Sequence, residues 1–215
     1  MPITQYQNGQ SDLELAPRDL TVMVAPYIGN PKLTSLENPS DGALLIPGYY
    51  ISSGNFTKRG GVRLGNNPDI TDIESHGKAT PTRQLPTKRA ITIGFEPQET
   101  NRYNLERYWG ADWSNIVASA HGGVALIVPD LPLNLKYRVI LLGWDDFDGE
   151  DIYLYWLGNK ANISKTEDQE MVDSDVLRYP YTLNFQSDGG SPLTVGICGP
   201  GWQGLQEVTN TGFAS

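Results

Sequence analysis

The chain has 215 residues, with 16 basic against 25 acidic side chains for a net charge of −9, and it is rich in glycine (23) and proline (15). Such an acidic balance excludes a molecule-wide basic surface of the kind that neutralises a nucleic-acid backbone, and the lack of any long Ala/Glu/Lys/Leu tract excludes a helical bundle. A lone cysteine, Cys198, excludes an intrachain disulfide and reads as a buried, inert thiol.

Residues 1–17 are polar and turn-rich, and they read as an N-terminal arm ordered by a neighbour. The start lacks a basic segment followed by an apolar run, so the expectation is a protein made and retained in a cytoplasm, with no membrane partner. A first strand is expected at 20–25. The segment 26–68 is dense in Gly, Pro, Asn and Ser. Long connections inside compact domains commonly serve contact with other molecules, which makes 26–68 a candidate inter-subunit loop region, with Tyr49, Tyr50 and Phe56 as candidates for a loop that reaches a stacked, inter-ring neighbour.

Strand-like stretches follow at 70–77, 80–85 and 88–95. The pattern then changes: Ile91, Ile93 and Phe95 alternate with the period of a strand, whereas Leu105, Tyr108 and Trp109 recur with that of a helix. Thr100 is the expected N-cap and Gly110 the left-handed stop. A helix this short needs tertiary support, so Leu105, Tyr108 and Trp109 are expected to pack inward, each contributing about 1.5–3 kcal/mol if fully buried.

The strongest local signal is LKYRVILLGWDDFDGEDIYLYWLGN, residues 135–159. Asp148-Gly149 is a favoured two-residue hairpin turn between β-forming runs. Both runs are apolar on successive positions, so both faces of this hairpin should be covered, one by the domain core and the other by a helix, a second sheet or another subunit. A last strand pair is expected at 177–186 and 193–198, before a C-terminal arm at 199–215. No repeat or linker divides the chain, which reads as one domain over 1–215.

Few patterns carry chemistry. Asp145, Asp146, Asp148, Glu150 and Asp151 crowd the 148–149 turn, but aligning Gly149 with the invariant glycine of a calcium loop puts Trp144 and Tyr155 where acidic ligands belong. The segment GPGWQG at 199–204 has the letters of a dinucleotide fingerprint without room for its following helix, strand and acid, and reads as a turn before the tail. Ser75-His76-Gly77-Lys78 lacks the companion motifs of an acyl-transfer site. His76 and His121 stand alone. No metal, cofactor or catalytic residue is therefore expected.

The segment DIESHGKATPTRQLPTKRAITIGFEPQETNRYNLERYWG resembles the major tail tube proteins of long-tailed bacteriophages, nearest to those infecting actinobacteria. The resemblance rests on Ser75, His76 and Gly77, on Pro81 and Arg83, on Phe95, and on Glu99, Asn101, Leu105, Tyr108, Trp109 and Gly110. The ending GICGPGWQGL is similar more loosely.

The resemblance implies a mainly β fold of two packed antiparallel sheets flanked by one short helix. It implies hexameric rings stacked into a tube through which double-stranded DNA passes without tight binding. Tape measure, tail terminator and tail-tip proteins would be partners, and the virion tail the final location after assembly in the host cytoplasm. An electronegative bore would let DNA slide, so Asp69, Asp72, Glu74, Asp145, Asp146, Asp148, Glu150 and Asp151 are candidate lumen acids. Three rival readings are a tube protein of a contractile injection apparatus, a carboxylate hydrolase, and a monomeric carbohydrate-binding β-sandwich that stacks sugars on Tyr49, Tyr50, Trp113 and Trp202.

Overall fold

A computed structural model describes residues 9–58 and 60–213. The fold is mainly β, with eight strands and two α-helices among the described residues. In chain order they are β1 (Asp19–Pro26), β2 (Ile51–Ser52), β3 (Arg63–Ile73), β4 (Arg83–Phe95), α1 (Arg102–Trp109), β5 (Lys136–Phe147), β6 (Glu150–Thr166), β7 (Tyr181–Phe185), β8 (Thr194–Cys198) and α2 (Pro200–Val208). A 3-10 turn at Ser11–Leu13 precedes them. Residues 1–8 of the expected N-terminal arm, and 214–215 of the C-terminal one, lie outside the described residues.

All eight strands belong to one antiparallel sheet of order β2-β1-β5-β6-β7-β4-β3, rather than to two separate sheets. The branch point is β6, whose 17 residues outlast any one partner. Its first half pairs with β8, from Tyr153 opposite Cys198 to Leu157 opposite Thr194, and its second half pairs with β7. Register shifts at Tyr137/Val139 and Ile163/Lys165 interrupt the ladders beside that fork. Bulges bend a strand and increase its local twist. The sheet curls enough for Val22 and Val24 of β1 to share a core with Ile91, Ile93 and Phe95 of β4 and with Leu183 and Phe185 of β7. Gly158 is required in this core, because a Cβ there would enter the ring of Phe185.

The second face of β1, β5 and β6 is also buried, as the apolar runs demand. Met23, Ala25, Ile140, Leu142, Tyr155 and Leu157 pack beneath Leu36 and Tyr50. Much of the cover is thus part of the 26–68 segment itself. Arg138, on the same strand face, fixes this cover: its guanidinium donates to the carbonyls of Asn159 (2.7 Å) and Asn30 (2.9 Å), pairs with Asp188 (3.2 Å) and lies 4.7 Å from the Tyr27 ring centroid.

Two expectations about the C-terminal region and the helix need correction. GPGWQG opens α2 instead of forming a turn: Pro200 occupies the first turn, where its missing N–H costs nothing, and Leu205 is fully buried. Gly201 permits the close approach, since a Cβ would meet the Glu150 carbonyl. In α1 the N-cap is Asn101, whose side chain accepts from Asn104 N at 3.0 Å, while Thr100 instead bonds Tyr179 through its hydroxyl. Gly110 is the left-handed stop, with φ 60°.

Candidate assembly surface

Helix α1 is seated in part by polar side chains. Its buried residues are Asn104 and Arg107. Asn104 donates to the carbonyls of Ser53 (3.0 Å) and Glu99 (2.9 Å), and Arg107 donates to Ser53 Oγ and Asn104 Oδ1. Of the expected apolar stripe, Leu105 is half-buried, Trp109 is 40 % exposed, and half-buried Tyr108 lies 6.0 Å from the Tyr179 ring and donates to Glu167 O (2.8 Å). The 53–55 turn needs donors for its carbonyl, and buried polar groups persist only when bonded.

From 110 to 135 the chain runs without regular structure, pinned at both ends. Leu133 N donates to Gly110 O (2.7 Å), and Trp113 Nε1 donates to Ile127 O (3.0 Å). Between these pins, Val117, Ile127 and Leu131 are 87 %, 85 % and 79 % exposed. With α1 and β6 the strap bounds an open groove of about 530 Å³ lined by Tyr108, Trp109, Pro132, Leu135, Ile163 and Lys165, among others. Large exposed apolar patches are uncommon on monomers and often belong to contact surfaces. The only sequence signal was the run VALIV at 124–128, too short for a membrane span and without strand partners.

The second unusual surface is the distal part of the β3–β4 hairpin. From Asn66 to Ala90 every described side chain is exposed except Leu85, which is half-buried. Among the described residues β3 pairs with β4 alone, and β4 pairs on its other side with β7 only from Thr92 to Phe95. A two-stranded ribbon therefore projects from the body with both edges open. The ladder runs through Asp69 opposite Lys88 to Ile73 opposite Arg83, with a register shift between Asp69 and Ile70. Asp72 Oδ1 accepts from Gln84 Nε2 at 2.8 Å.

The candidate lumen acids separate into groups that do not face one way. Asp69 and Asp72 lie three positions apart on β3, hence on opposite faces of the ribbon, and Glu74 follows the strand. Asp145 is 8 % exposed and accepts from Ala16 N and Arg18, so it is buried and anchors the N-terminal segment. Asp146 pairs with Arg18. Asp151 accepts from Trp144 Nε1 (2.7 Å) and Tyr153 OH (2.8 Å), and these two donors hold its carboxyl below the usual carboxylate range. Only Asp148 and Glu150 are exposed at this turn.

The aromatic candidates point inward. Tyr50 is buried in the core, Tyr49 stacks on it with centroids 5.0 Å apart, and Phe56 packs edge-on against Phe95. Trp113 is buried and Trp202 half-buried, which removes the sugar-stacking platform the rival reading needed. Burial pushes the Cys198 thiol up to about 11, consistent with an unreactive packing residue. Among the described residues, no three His, Cys, Asp or Glu side chains gather as metal ligands, and no helix is long and apolar enough to cross a membrane.

No protein-family model matches the chain, and no curated protein sequence matches it. Among solved structures it is similar to a chain of the anti-feeding prophage baseplate, a six-fold symmetrised cryo-EM structure. The TM-score is 0.47 and the identity 9 %, over 85 % of this chain and 93 % of that one. A superposition that loose, with so few shared residues, carries no inference about role.

Proposed function

We propose that the chain is a structural subunit of a bacteriophage tail, the repeating unit of a tube built from stacked hexameric rings through which double-stranded DNA passes. The observation that carries this reading is the projecting ribbon. An isolated two-stranded hairpin is marginally stable in water and its open edges invite pairing, so a subunit that builds such an element has a use for it beside another chain. The exposed apolar strap at 116–133 adds a second surface with no occupant in the monomer.

The motif residues that carry the family resemblance have coherent local roles. Asn101 caps α1, Gly110 stops it, Glu99 accepts from Asn55 N at 2.9 Å, and Phe95 belongs to the core. These roles are architectural, which suits a conduit rather than an enzyme. The partners on this reading are further copies of the chain, with the tape measure, terminator and tip proteins at the tube's interior and ends. The final location is the virion tail, and assembly takes place in the host cytoplasm. A tube in a contractile apparatus would use the same surfaces, and the presence of a sheath distinguishes it.

The test is antibody labelling of intact particles together with electron microscopy of the concentrated purified protein. Regular decoration along the tail and tubes with a six-fold projection support the reading. Labelling confined to the head or fibres overturns it.

A further inference from the structure

The two open edges of the ribbon carry opposite charge. From residue 69 to 74 the β3 side has Asp69, Asp72 and Glu74 and no base; from 78 to 90 the β4 side has Lys78, Arg83, Lys88 and Arg89 and no acid. The segregation holds on both faces. Asp69 lies opposite Lys88 on one face, while on the other Asp72 shares the β3 side with Pro68, whose β4 partner is Arg89. None of these four bases forms an ion pair with another described residue.

We infer that copies of this chain associate with the acidic β3 edge of one ribbon against the basic β4 edge of the next, in one direction only. The inference rests on the tube reading and specifies its lateral contact. Two ribbons in the same orientation place β4 of one antiparallel to β3 of the other, which repeats the alternation already present inside each hairpin. Cross-strand neighbours are then of opposite sign on both faces, whereas β3 beside β3 or β4 beside β4 sets like charges together. Because the two edges differ, the contact is head-to-tail, and a rotation that closes it makes a ring with no edge left over.

Pro68 strengthens the directional argument. Like Pro86 on β4, it removes one N–H from the ribbon, which blunts indiscriminate strand addition and leaves charge as a further means of selecting the partner. Solvent-exposed charges are screened over about 8 Å at physiological salt. Association through this contact is therefore salt-sensitive, and the edges act as a polarity code that ionic strength weakens.

The test uses the full chain and reads particle size by sedimentation velocity and microscopy, at about 50 mM and about 500 mM salt. Near-ultraviolet circular dichroism reports the body, which the ribbon substitutions do not touch. Lys88→Glu/Arg89→Glu reverses the charge of β4 beside Asp69 and leaves that edge without net positive charge, since Lys78 and Arg83 remain, and Asp69→Lys/Asp72→Lys leaves both edges basic; each alone is expected to assemble about tenfold more weakly than the unaltered chain. An equimolar mixture of the two is expected to co-assemble, and the chain carrying all four substitutions to regain association.

Unaltered protein that builds tubes while the mixture and the fourfold variant both stay monomeric overturns the inference and leaves the tube reading standing. So do single-edge variants that assemble as the unaltered chain does. Association that follows the charge rules but yields only open ribbons overturns the tube reading alone. Unaltered protein that stays monomeric at high concentration and low salt overturns both. Duplex DNA retained by the unaltered chain and lost in Lys88→Glu/Arg89→Glu, with self-association unchanged, assigns the basic edge to nucleic acid instead.

Discussion

The molecule contains two long hairpins of nearly opposite character. β5–β6 is apolar on both faces and covered on both, by the curled sheet on one side and by residues 33–50 on the other. β3–β4 begins in the same core at Ile91 and Ile93 but beyond Ala90 has polar, charged and exposed faces. Local propensity alone would make both into hairpins. The difference lies in what each has to pack against: one is stabilised within the chain, and the other has its faces and edges left for contacts outside it.

That contrast can be broken most sharply by truncation. Ile140→Ala, at a fully buried position of β5, should cost about 3 kcal/mol in a urea melt, whereas Ile70→Ala on the ribbon should leave monomer stability within about 0.5 kcal/mol. Equal losses would mean that the ribbon packs on the body. Next in size is Asn104→Ala, which removes the side-chain donor to the carbonyl of buried Ser53 and should cost about 1–3 kcal/mol. A neutral result would return the seating of α1 to its aromatic residues.

The turns offer a matched pair. Gly149 at the β5–β6 turn has φ 83° and Gly77 in the β3–β4 connection has φ 79°. Alanine at Gly149 should lower global stability by about 1 kcal/mol, whereas alanine at Gly77 should fray only the ribbon tip and leave the melt unchanged. Amide hydrogen exchange sharpens the same comparison without substitution. In the monomer, amides from 66 to 90 should exchange far faster than those of β5 and β6, and they should become protected when particles form.

The smallest effect concerns pH. The hydrogen bonds from Trp144 and Tyr153 depress the folded-state pKa of Asp151, so their contribution is present above the ordinary carboxylate value of about 3.9 and is lost as pH falls through the lower folded value. Asp151→Asn should therefore differ from the unaltered chain near neutrality and converge with it in acid. A constant difference across that range would remove the charge from the explanation.

Much of the fold was readable in the residues. The 148–149 turn, the strands on either side of it, the stop at Gly110 and the mainly β class all follow from short-range pattern. Asp148 and Gly149 do adopt the two positive φ values that the tight turn requires, 52° and 83°. The candidate surface was less readable. Tyr49, Tyr50 and Phe56 looked like loop aromatics available to a neighbour, yet they complete cores, because a Gly/Pro-rich segment can still lie back over a sheet. The strap at 116–133 has no legible signature, since an apolar run without periodicity resembles a buried strand until its partners prove to be missing.

Periodicity and turn chemistry act over a few residues, so the sequence by itself determined which segments become strands, where the hairpins reverse and where α1 ends. Tertiary structure alone decided that β6 serves two partners along one edge, that residues 33–50 close the second face, and that Asp145 is tied to Ala16 and Arg18. Those outcomes depend on which distant groups meet once the sheet curls. The sum of many weak, long-range contacts sets that curl, and no short stretch of residues encodes it.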